Sequence, residues 1–444
     1  MGIALYLKNN LKNIPPGLGR IINYIPYEKR PGLGKIYSKR KSEIEYLSKA
    51  SVEEKQKFVF ERMESLISFA YENVQFYKEF YKDAGFHPSH LISFYDLDKV
   101  PIITKSVLNK YNIEQRGAPV KDRYVVNTGG SSGTPFAFYI EPSSMGHEWA
   151  HMHTIWEKLG YSPKDFKIVF GGRSDIKNKV EYDVVRNHFA IDIYEDYDKL
   201  SERLFNILGK YRIKYLHGYP SSIYDFALYC ENRNEKLKNL IRTNLRGVFL
   251  GSEFPHELYR DTIERVFGAK TISWYGHTER AVLAFERHEK FTYEPFLSYG
   301  FSEAIKNEAG DYELVSTSYY NHASPLIRYN TQDIIESPIC KDGILESFKI
   351  LKGREGEFVV DSKGKKINLT ALIFGRHHEI FNFIDYMQIR QIAQGVIEVI
   401  FVGNDLPTAP EQLFDATNLD FKISFKKVKE PIRTQSGKLS LLVK

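Results

Sequence analysis

The sequence predicts an α/β fold in two parts: a large multi-layer α/β amino-terminal domain with a β-rich subdomain, residues 1–351, and a small α+β carboxyl-terminal lid domain, residues 352–444. Three observations predict this fold. From residue 123 onward, short apolar runs alternate with helical patterns, as is typical of α/β layers. Residues 296–350 have the pattern of short strands with frequent turns. A charged segment with glycines at 352–356 marks a domain boundary.

The composition is that of a soluble globular protein, with 42% hydrophobic and 27% charged residues in a chain of 444. This length predicts about two or three domains. No run of about 18 apolar residues is present, which excludes a membrane-spanning helix. The first residues lack the long apolar core of a secretory signal, and the two cysteines, Cys230 and Cys340, are far apart. We therefore expect a cytoplasmic protein with free thiols.

The net charge of +6 is concentrated in a basic amino-terminal arm, residues 1–45. Between residues 8 and 41 the single acid is Glu28, and the basic residues are Lys8, Lys12, Arg20, Lys29, Arg30, Lys35, Lys39, Arg40 and Lys41. We favour a solvated arm. The alternative is a patch that contacts another protein or anionic lipid, which would make the protein membrane-associated. No nucleic-acid-binding motif accompanies the charge, so nucleic acid is not expected as a partner.

Apolar spacing predicts the elements in order. Residues 52–84 have the spacing of one or two amphipathic helices. An extended piece at 100–103 precedes a helix start capped by Thr104. Further strands are predicted at 136–140, 166–172, 245–251, 270–274 and 395–402, with helices at 198–212 and 221–235.

One segment combines glycines and hydroxyl side chains at a sharp turn between two strands: Thr128, Gly129, Gly130, Ser131, Ser132, Gly133, Thr134 and Pro135. Glycine lets backbone amides approach an anion, and the hydroxyls add further donors. Such a loop suits nucleotide phosphates, although it has neither the lysine of GxxxxGK(S/T) nor the spacing of GxGxxG. For this segment alone, an ordinary glycine-serine loop is the stronger interpretation.

Two neighbouring strands each end in a turn of glycine and polar residues. Gly251, Ser252 and Glu253 follow one strand, and the next is followed by Tyr275, Gly276, His277, Thr278 and Glu279. Such turns predict a crevice at the carboxyl edge of a sheet. An aromatic ring there can stack on a purine, and a carboxylate can hold Mg²⁺ beside phosphates. A polar turn after a buried strand is the alternative.

Two further charged residues have ordinary interpretations when they are taken alone. Asp333 could accept both ribose hydroxyls, but an aspartate in a turn is usually a cap. Lys438 stands in a tight turn from which its ammonium could reach phosphate oxygens, but a lysine near a terminus is usually solvated.

Together, these segments resemble the motifs of the adenylate-forming superfamily of acyl-CoA synthetases, peptide-synthetase adenylation domains and luciferases, and in particular its phenylacetate–CoA ligase and CapK-type branch. Residues 128–135 match its phosphate loop, and residues 275–279 match Y-G-x-T-E. Residues 329–333 are similar to Y-x-T-G-D. Gly353 and Arg354 open a hinge motif G-R-x-D-D, and residues 434–438 match the terminal lysine motif.

The resemblance implies an adenylate-forming enzyme fold and a ligase that uses ATP and Mg²⁺ to activate a carboxylic acid. The carboxylate attacks the α-phosphate, an acyl-adenylate forms and pyrophosphate leaves, with catalysis mainly by electrostatic positioning. Residues 128–134 would hold the leaving phosphates and Glu279 the Mg²⁺. In the rest of the nucleotide site, Gly251, Ser252, Glu253 and Tyr275 would face adenine and Asp333 and Arg354 the ribose. Gly276 and His277 would also contact the nucleotide.

By the same resemblance, Lys438 would bridge the carboxylate and the α-phosphate, and it forms the catalytic set with Glu279 and Thr278. The terminal domain would then rotate about the hinge and admit the acceptor. Two departures bear on this. Gly356 replaces the usual hinge aspartate and still permits rotation, and Gln332 adds a side chain beside the ribose.

The acyl pocket has no local sequence code, because its residues come from distant segments. By position alone, the candidates for its wall are His147, Trp149, Tyr219 and Trp274. His147 and His151 form an i, i+4 pair compatible with zinc, but no local cysteine or carboxylate pair completes a site. We favour ordinary helix and pocket-wall histidines.

The resemblance leaves three functions open. Coenzyme A is the expected acceptor for the branch. The second hypothesis is transfer to an amine, such as an amino sugar in capsule or O-antigen polysaccharide biosynthesis. The third is an inactive nucleotide-binding scaffold, against which the presence of both Glu279 and Lys438 counts.

Overall fold

The computed structural model of the protein describes residues 14–30, 34–129, 135–173, 176–308, 310–350, 358–374, 376, 378–432 and 441–443. The helices are α1 (Pro16–Asn23), α2 (Gly34–Lys49), α3 (Val52–Asn73), α4 (Gln75–Asp83), α5 (Lys105–Leu108), α6 (Ile113–Arg116), α7 (Ser144–Glu157), α8 (Tyr197–Lys210), α9 (Pro220–Asn232), α10 (Glu235–Asn244), α11 (Glu257–Phe267), α12 (Leu369–Phe374) and α13 (Pro410–Leu413). The strands are β1 (Tyr124–Gly129), β2 (Pro135–Ile140), β3 (Phe166–Gly171), β4 (Val180–Asp183), β5 (His188–Asp192), β6 (Ile213–Gly218), β7 (Gly247–Leu250), β8 (Lys270–Gly276), β9 (Leu283–Phe285), β10 (Thr292–Pro295), β11 (Gly300–Lys306), β12 (Tyr312–Ser318), β13 (Tyr329–Lys341), β14 (Ile344–Ile350), β15 (Phe358–Val360), β16 (Lys366–Asn368), β17 (Ile384–Ala393), β18 (Val396–Gly403), β19 (Lys422–Lys427) and β20 (Leu442–Val443).

Twelve strands form one sheet in the order β11-β12-β13-β14-β10-β9-β8-β7-β6-β3-β5-β4. The half made of β5, β3, β6, β7 and β8 is parallel, and its strands alternate with α8 to α11. The half from β9 to β14 is antiparallel. The predicted α/β architecture is therefore confirmed, and so is the β-rich character of residues 296–350.

Helices cover both faces of the parallel half, so its strands are largely buried on both sides. In β7, Val248 and Leu250 pack into the core under α8 to α11. Phe249, between them, points to the other face and stacks on Trp156 of α7, with ring centroids 5.1 Å apart. Helix α7 packs on this second face, and Ile44 of α2 packs against the same cluster.

The predicted helix starts and strands also form, with shifted bounds. Ser51 caps α3 in a capping box with Glu54, and Thr104 accepts a hydrogen bond from Val107 N at the start of α5. Residues 124–129 and 135–140 pair as an antiparallel hairpin, as the sharp turn at 128–135 predicts. Helices α10 and α11 and strand β6 are among the elements that the sequence interpretation did not identify.

The interpretation of the basic arm as solvated is wrong for α2, which packs against α7. Tyr37 Oη lies 3.1 Å from His153 Nδ1, and Lys41 Nζ donates to Thr154 Oγ1 at 2.9 Å. Arg40 is 2% exposed and bonds to Tyr320 Oη. Residues 1–13 lie outside the described part of the chain. In that part, no helix combines the length and the apolar character needed to cross a membrane.

The described residues after 357 contain a separate four-stranded sheet, ordered β19-β18-β17-β20. Lys365 Nζ donates to the carbonyl oxygens of Ile193 at 2.9 Å and Glu195 at 3.3 Å. Asn418 Nδ2 donates to Asp192 Oδ2 at 2.9 Å. The predicted boundary at residue 352 falls in 351–357, outside the described residues, and stays a prediction.

Candidate active site

The crevice lies where β6, β7 and β8 end side by side, each in or beside a glycine. A Cβ at Gly251 would stand 2.3 Å from the Trp274 ring, and one at Gly218, where φ is +150°, would stand 2.1 Å from Phe170 O. Ser252, with φ +68°, continues the turn after β7. Close packing therefore requires glycine at 218 and 251, and the predicted crevice at this carboxyl edge stays a prediction.

Tyr275 and Asp333, which the sequence places far apart, meet at this edge. Tyr275 Oη donates to Asp333 Oδ2 at 2.5 Å. A tight turn presents the aspartate: Asn330 Oδ1 accepts from Gln332 N at 2.7 Å, and Gln332 has φ +62°. Burial raises the pKa of Asp333, while the hydrogen bond from Tyr275 and the charge of His277 oppose that rise. The hydrogen bond from Tyr275 therefore holds the Asp333 carboxyl group in place, but it does not fully offset the effect of burial on the pKa.

The second pair of the crevice is His277 and Glu279, on the turn after β8. His277 Nδ1 lies 3.3 Å from Glu279 Oε2, an ion-pair distance without hydrogen-bond alignment. Burial opposes ionisation of Glu279, but His277, and then Lys105, outweigh it and lower the pKa of Glu279 to about 2. Burial likewise opposes the charge on His277, and Glu279 raises its pKa nonetheless. Glu279 is therefore an ionised carboxylate that is 9% exposed.

Lys105 is a charged residue of this neighbourhood that sequence reasoning did not single out. It is 8% exposed at the start of α5, and Glu279 counters the lowering of its pKa by burial. Ile103, two residues before Lys105, pairs with β13. Its N donates to Arg328 O at 3.0 Å, and its O accepts from Asn330 N at 2.8 Å. A lysine directly after a capping threonine was the available signal.

Glu253 occupies the turn after β7. Its Oε2 accepts from Ser221 N at 3.2 Å, and its Oε1 is buried without a partner among the described residues. Burial raises the pKa of Glu253 to about 7, against the effect of the Ser221 hydrogen bonds. The neighbouring Ser252 is exposed, as are Gly276 and Thr278 on the turn after β8. The crevice therefore mixes buried carboxyl groups with an exposed rim.

Several predicted site residues fall on parts of the chain outside the description. Thr128 and Gly129 end β1, and the rest of the predicted phosphate loop, residues 130–134, lies outside the described residues. The same holds for Arg354 and Lys438. Their roles stay predictions.

The four residues predicted for the acyl pocket divide into two pairs. Trp274 lies against Gly251 at the crevice, and Tyr219 precedes the first residue of α9 after β6. Trp149 packs beside Tyr27 and Tyr37 of the amino-terminal segment. His147 stacks on Tyr320, with centroids 3.9 Å apart, and burial lowers its pKa to about 2.

The neighbouring His151 has both ring nitrogens engaged. Nδ1 lies 2.7 Å from His147 O, to which it must donate, and Nε2 lies 2.9 Å from Ser298 Oγ. These contacts agree with an ordinary helix histidine.

The comparisons with known proteins begin with a negative result, since no protein-family model matches the chain. Among curated proteins, Protein CapK of Staphylococcus aureus is 24% identical over 424 positions, which cover 91% of this chain and 89% of that protein. Phenylacetate-coenzyme A ligase of Escherichia coli (strain K12) is 25% identical over 316 positions, which cover 66% of this chain and 69% of that protein.

Among solved structures, 2-hydroxyisobutyryl-CoA ligase in complex with 2-HIB-AMP and CoA is similar with a TM-score of 0.55 and 18% identity, and the match covers 88% of this chain and 90% of that one. At this identity the similarity shows the fold, which is that of adenylate-forming enzymes. The chain therefore has the fold of adenylate-forming enzymes, and its sequence is similar to curated proteins of the phenylacetate–CoA ligase and CapK type.

Proposed function

We propose that the protein activates a carboxylic acid with ATP, releases pyrophosphate and passes the acyl group from the adenylate to coenzyme A. The observation that carries the proposal is the pairing of Tyr275 with Asp333 beside an ionised, buried Glu279, all at the carboxyl edge of the parallel strands. Ligands of open α/β sheets bind at this edge. Relatives named as phenylacetate-coenzyme A ligases support coenzyme A as the acceptor.

In this proposal the crevice orients the nucleotide. Asp333 accepts the ribose hydroxyls while Tyr275 fixes its rotamer through the 2.5 Å hydrogen bond. Adenine lies against the turn after β7, where Glu253 has one unpaired oxygen that can face its exocyclic amine. Gly276, His277 and Thr278 line the path from the nucleoside to the phosphates. Residues 128–134 and Arg354 add phosphate and ribose contacts, as the motif resemblance implies.

Glu279 fits the role of a Mg²⁺ ligand. Mg²⁺ in nucleotide sites takes one or two carboxylates and completes its shell with phosphate oxygens and water. The carboxylate of Glu279 is ionised, and the pKa of about 2 keeps it so throughout the physiological range. Bound Mg²⁺ would offset negative charge on the phosphates. Lys105 and His277, both near Glu279, supply positive charge from the protein itself.

The chemical step needs two anions to approach each other. The substrate carboxylate attacks the α-phosphorus, the bond from that phosphorus to the bridging oxygen breaks, and pyrophosphate leaves. We assign Lys438 to hold the carboxylate and the α-phosphate together, because a lysine ammonium can donate to both. The protein therefore acts by positioning and charge compensation.

An amine acceptor stays the second candidate. The observation that favours it is the extent of the match to CapK, 91% of this chain against 66% for the phenylacetate-coenzyme A ligase of Escherichia coli. An inactive scaffold is the third. The buried, ionised carboxylate of Glu279 counts against an inactive scaffold. A buried charge destabilises the fold unless it is well paired, and its neighbour His277 lacks aligned hydrogen-bond partners among the described residues.

Pyrophosphate release tests the proposal. Purified protein is incubated with ATP, Mg²⁺ and a panel of carboxylic acids, with and without coenzyme A or an amino sugar. We expect release with at least one acid and a thioester when coenzyme A is present. If an acylated product forms only when the amine is present, the acceptor is the amine and not coenzyme A. Absence of release with every acid, together with absence of ATP binding by calorimetry, would contradict the proposed function.

A further inference from the structure

A cluster of polar side chains lies buried under α7, on the second face of the parallel strands. Lys167 and His188 are register partners on β3 and β5, and His217 on β6 pairs with Val169, two residues beyond Lys167 on the same face. Trp156 of α7 covers them: Lys167 Nζ is 5.0 Å from the Trp156 ring, and the Trp156 and His217 ring centroids are 5.2 Å apart. We call these four residues the polar floor.

Within the described part of the chain, three of the four residues of the polar floor have a buried nitrogen without a hydrogen-bond partner. Trp156 Nε1, His188 Nδ1 and His217 Nδ1 are all buried and unpaired. Trp156 is 1% exposed and His188 6% exposed. Three such atoms in one place are unusual, because most buried polar atoms are hydrogen-bonded and each unpaired one costs about 1–3 kcal/mol.

The chemistry of these atoms defines what they lack. An indole N–H only donates, so Trp156 needs an acceptor. Lys167 Nζ donates to Tyr161 Oη and to Arg186 O, both at 3.0 Å, so its ammonium has a third N–H to offer. Each neutral histidine can place a proton on Nδ1. Each of the four residues can therefore donate a hydrogen bond to an oxygen-bearing group.

The polar floor is connected to the crevice. His217 is the last residue but one of β6 and is half-buried, and its ring centroid is 5.4 Å from that of Trp274, which lies against Gly251. Lys167 is four residues before the end of β3, which at about 3.3 Å per residue places it roughly 13 Å below the edge. The wall between them is aromatic, with Phe249 stacked on Trp156.

We propose that this is the far end of the acyl pocket, and that the acid activated by this protein carries a second oxygen-bearing group, a hydroxyl, carbonyl or carboxylate, which accepts hydrogen bonds from Trp156, Lys167, His188 and His217. The inference rests on the proposed function, because it assigns the substrate class of the same site. It places a ring or a chain of several carbons between the two oxygenated ends of the substrate. Burial lowers the pKa of Lys167 to about 7, and an anionic group beside it would favour the charged form.

Matched acids test it. Pyrophosphate release is measured for phenylacetate, 4-hydroxyphenylacetate and 4-carboxyphenylacetate, and for hexanoate, 6-hydroxyhexanoate and adipate. We expect kcat/KM to be about 10- to 100-fold higher for an oxygenated member than for its parent, since a site built to hydrogen-bond a polar group rejects the analogue that lacks it. Comparison of the hydroxyl and carboxylate arms identifies the group.

Two variants test whether the polar floor causes the preference for the oxygenated acid. His217→Phe and Trp156→Phe should reduce the ratio within the pair toward one. The control is Phe226→Leu, a large-to-small change on the opposite face of the sheet that should leave the ratio as it is. Circular dichroism checks folding, and if Trp156→Phe does not fold, the half-buried His217 carries the test.

The outcomes separate the two proposals. Equal or better use of the parent acids, or an unchanged ratio in a folded His217→Phe protein, would overturn this inference, and solvent would then account for the unpaired atoms. The proposed function would stand in that case. Failure of every acid to release pyrophosphate, together with absence of ATP binding by calorimetry, would overturn the proposed function, and this inference with it.

Discussion

Two buried acid–base pairs flank β8, and they differ in how completely they are satisfied. In the first, Arg260 Nη1 and Nη2 bond to the two oxygens of Glu286 at 2.5 and 3.0 Å. Arg260 Nε also donates to Thr271 Oγ1 at 2.8 Å, and Glu286 accepts from the N–H groups of Ser273 and Phe291 at 2.9 and 2.6 Å. This bidentate pair has nearly every donor and acceptor engaged.

In the second pair, His277 and Glu279 make one contact of 3.3 Å, and both histidine ring nitrogens lack an aligned partner in the described residues. The chemistry differs as well, because a guanidinium stays charged whereas an imidazole can lose its proton. A pair that is complete without a ligand belongs to the scaffold. A pair with unused hydrogen-bonding capacity is suited to a site, where a ligand completes it.

The largest expected effect concerns the complete pair. Arg260→Leu leaves Glu286 buried without its counter-charge, and we expect a loss of about 3–5 kcal/mol in the free energy of unfolding. Urea denaturation followed by circular dichroism measures it. The control is Arg265→Leu, on the same helix, whose partner Glu231 lies at the surface, and it should lose much less. Equal losses in the two variants would remove the distinction between buried and exposed pairs.

The incomplete pair should show the opposite behaviour. Glu279→Gln removes the charge but lets His277 become neutral, so we expect little loss of stability and a fall of about 10²- to 10³-fold in kcat/KM for pyrophosphate release. Denaturation and the release assay are run on the same preparation. A variant that loses stability as Arg260→Leu does, while keeping its activity, would assign Glu279 to the scaffold.

An intermediate effect is expected at Tyr275. Tyr275→Phe removes the hydrogen bond to the buried Asp333, and bonds to charged groups contribute about 1.5–3 kcal/mol. We expect the loss in ATP affinity, measured by calorimetry, because the carboxylate is no longer oriented. The neighbouring Tyr293, which bonds to Ser273, is the matched control, and Tyr293→Phe should leave ATP affinity in place. Similar losses from the two changes would argue against a binding role for the Tyr275 hydroxyl.

The smallest effect depends on pH. Burial raises the folded-state pKa of Glu253 to about 7, above the value of about 4.3 of an unfolded glutamate, so this group binds its proton more tightly in the folded protein. Its stabilising contribution is complete below the unfolded pKa and is lost as the pH rises toward 7. We expect Glu253→Gln to be more stable than the parent at pH 8, on the order of 1 kcal/mol, with no difference near pH 4. Thermal melts across this range provide the check, and a gain that is independent of pH would contradict it.

The sequence predicts the parts of this molecule that depend on local patterns. Alternating apolar runs predicted the α/β layers. Gly251 marked a strand end at which close packing against Trp274 excludes a side chain. Contacts between residues that are distant in the sequence could not be predicted. No sequence pattern near Arg260 predicts its pairing with Glu286. The burial of Arg40 against Tyr320 could not be predicted either, because Arg40 belongs to a run of basic residues that resembles a solvated arm. Residues 130–134, Arg354 and Lys438 remain predictions from motif spacing alone.

The placement of the aromatic residues has a practical consequence. The chain has three tryptophans, and all stand in one cluster: the ring centroids of Trp149 and Trp156 are 6.0 Å apart, and those of Trp156 and Trp274 are 6.2 Å apart. The tryptophan fluorescence of the protein therefore originates in this cluster. A molecule that enters under α7 would change the tryptophan emission spectrum without any added label.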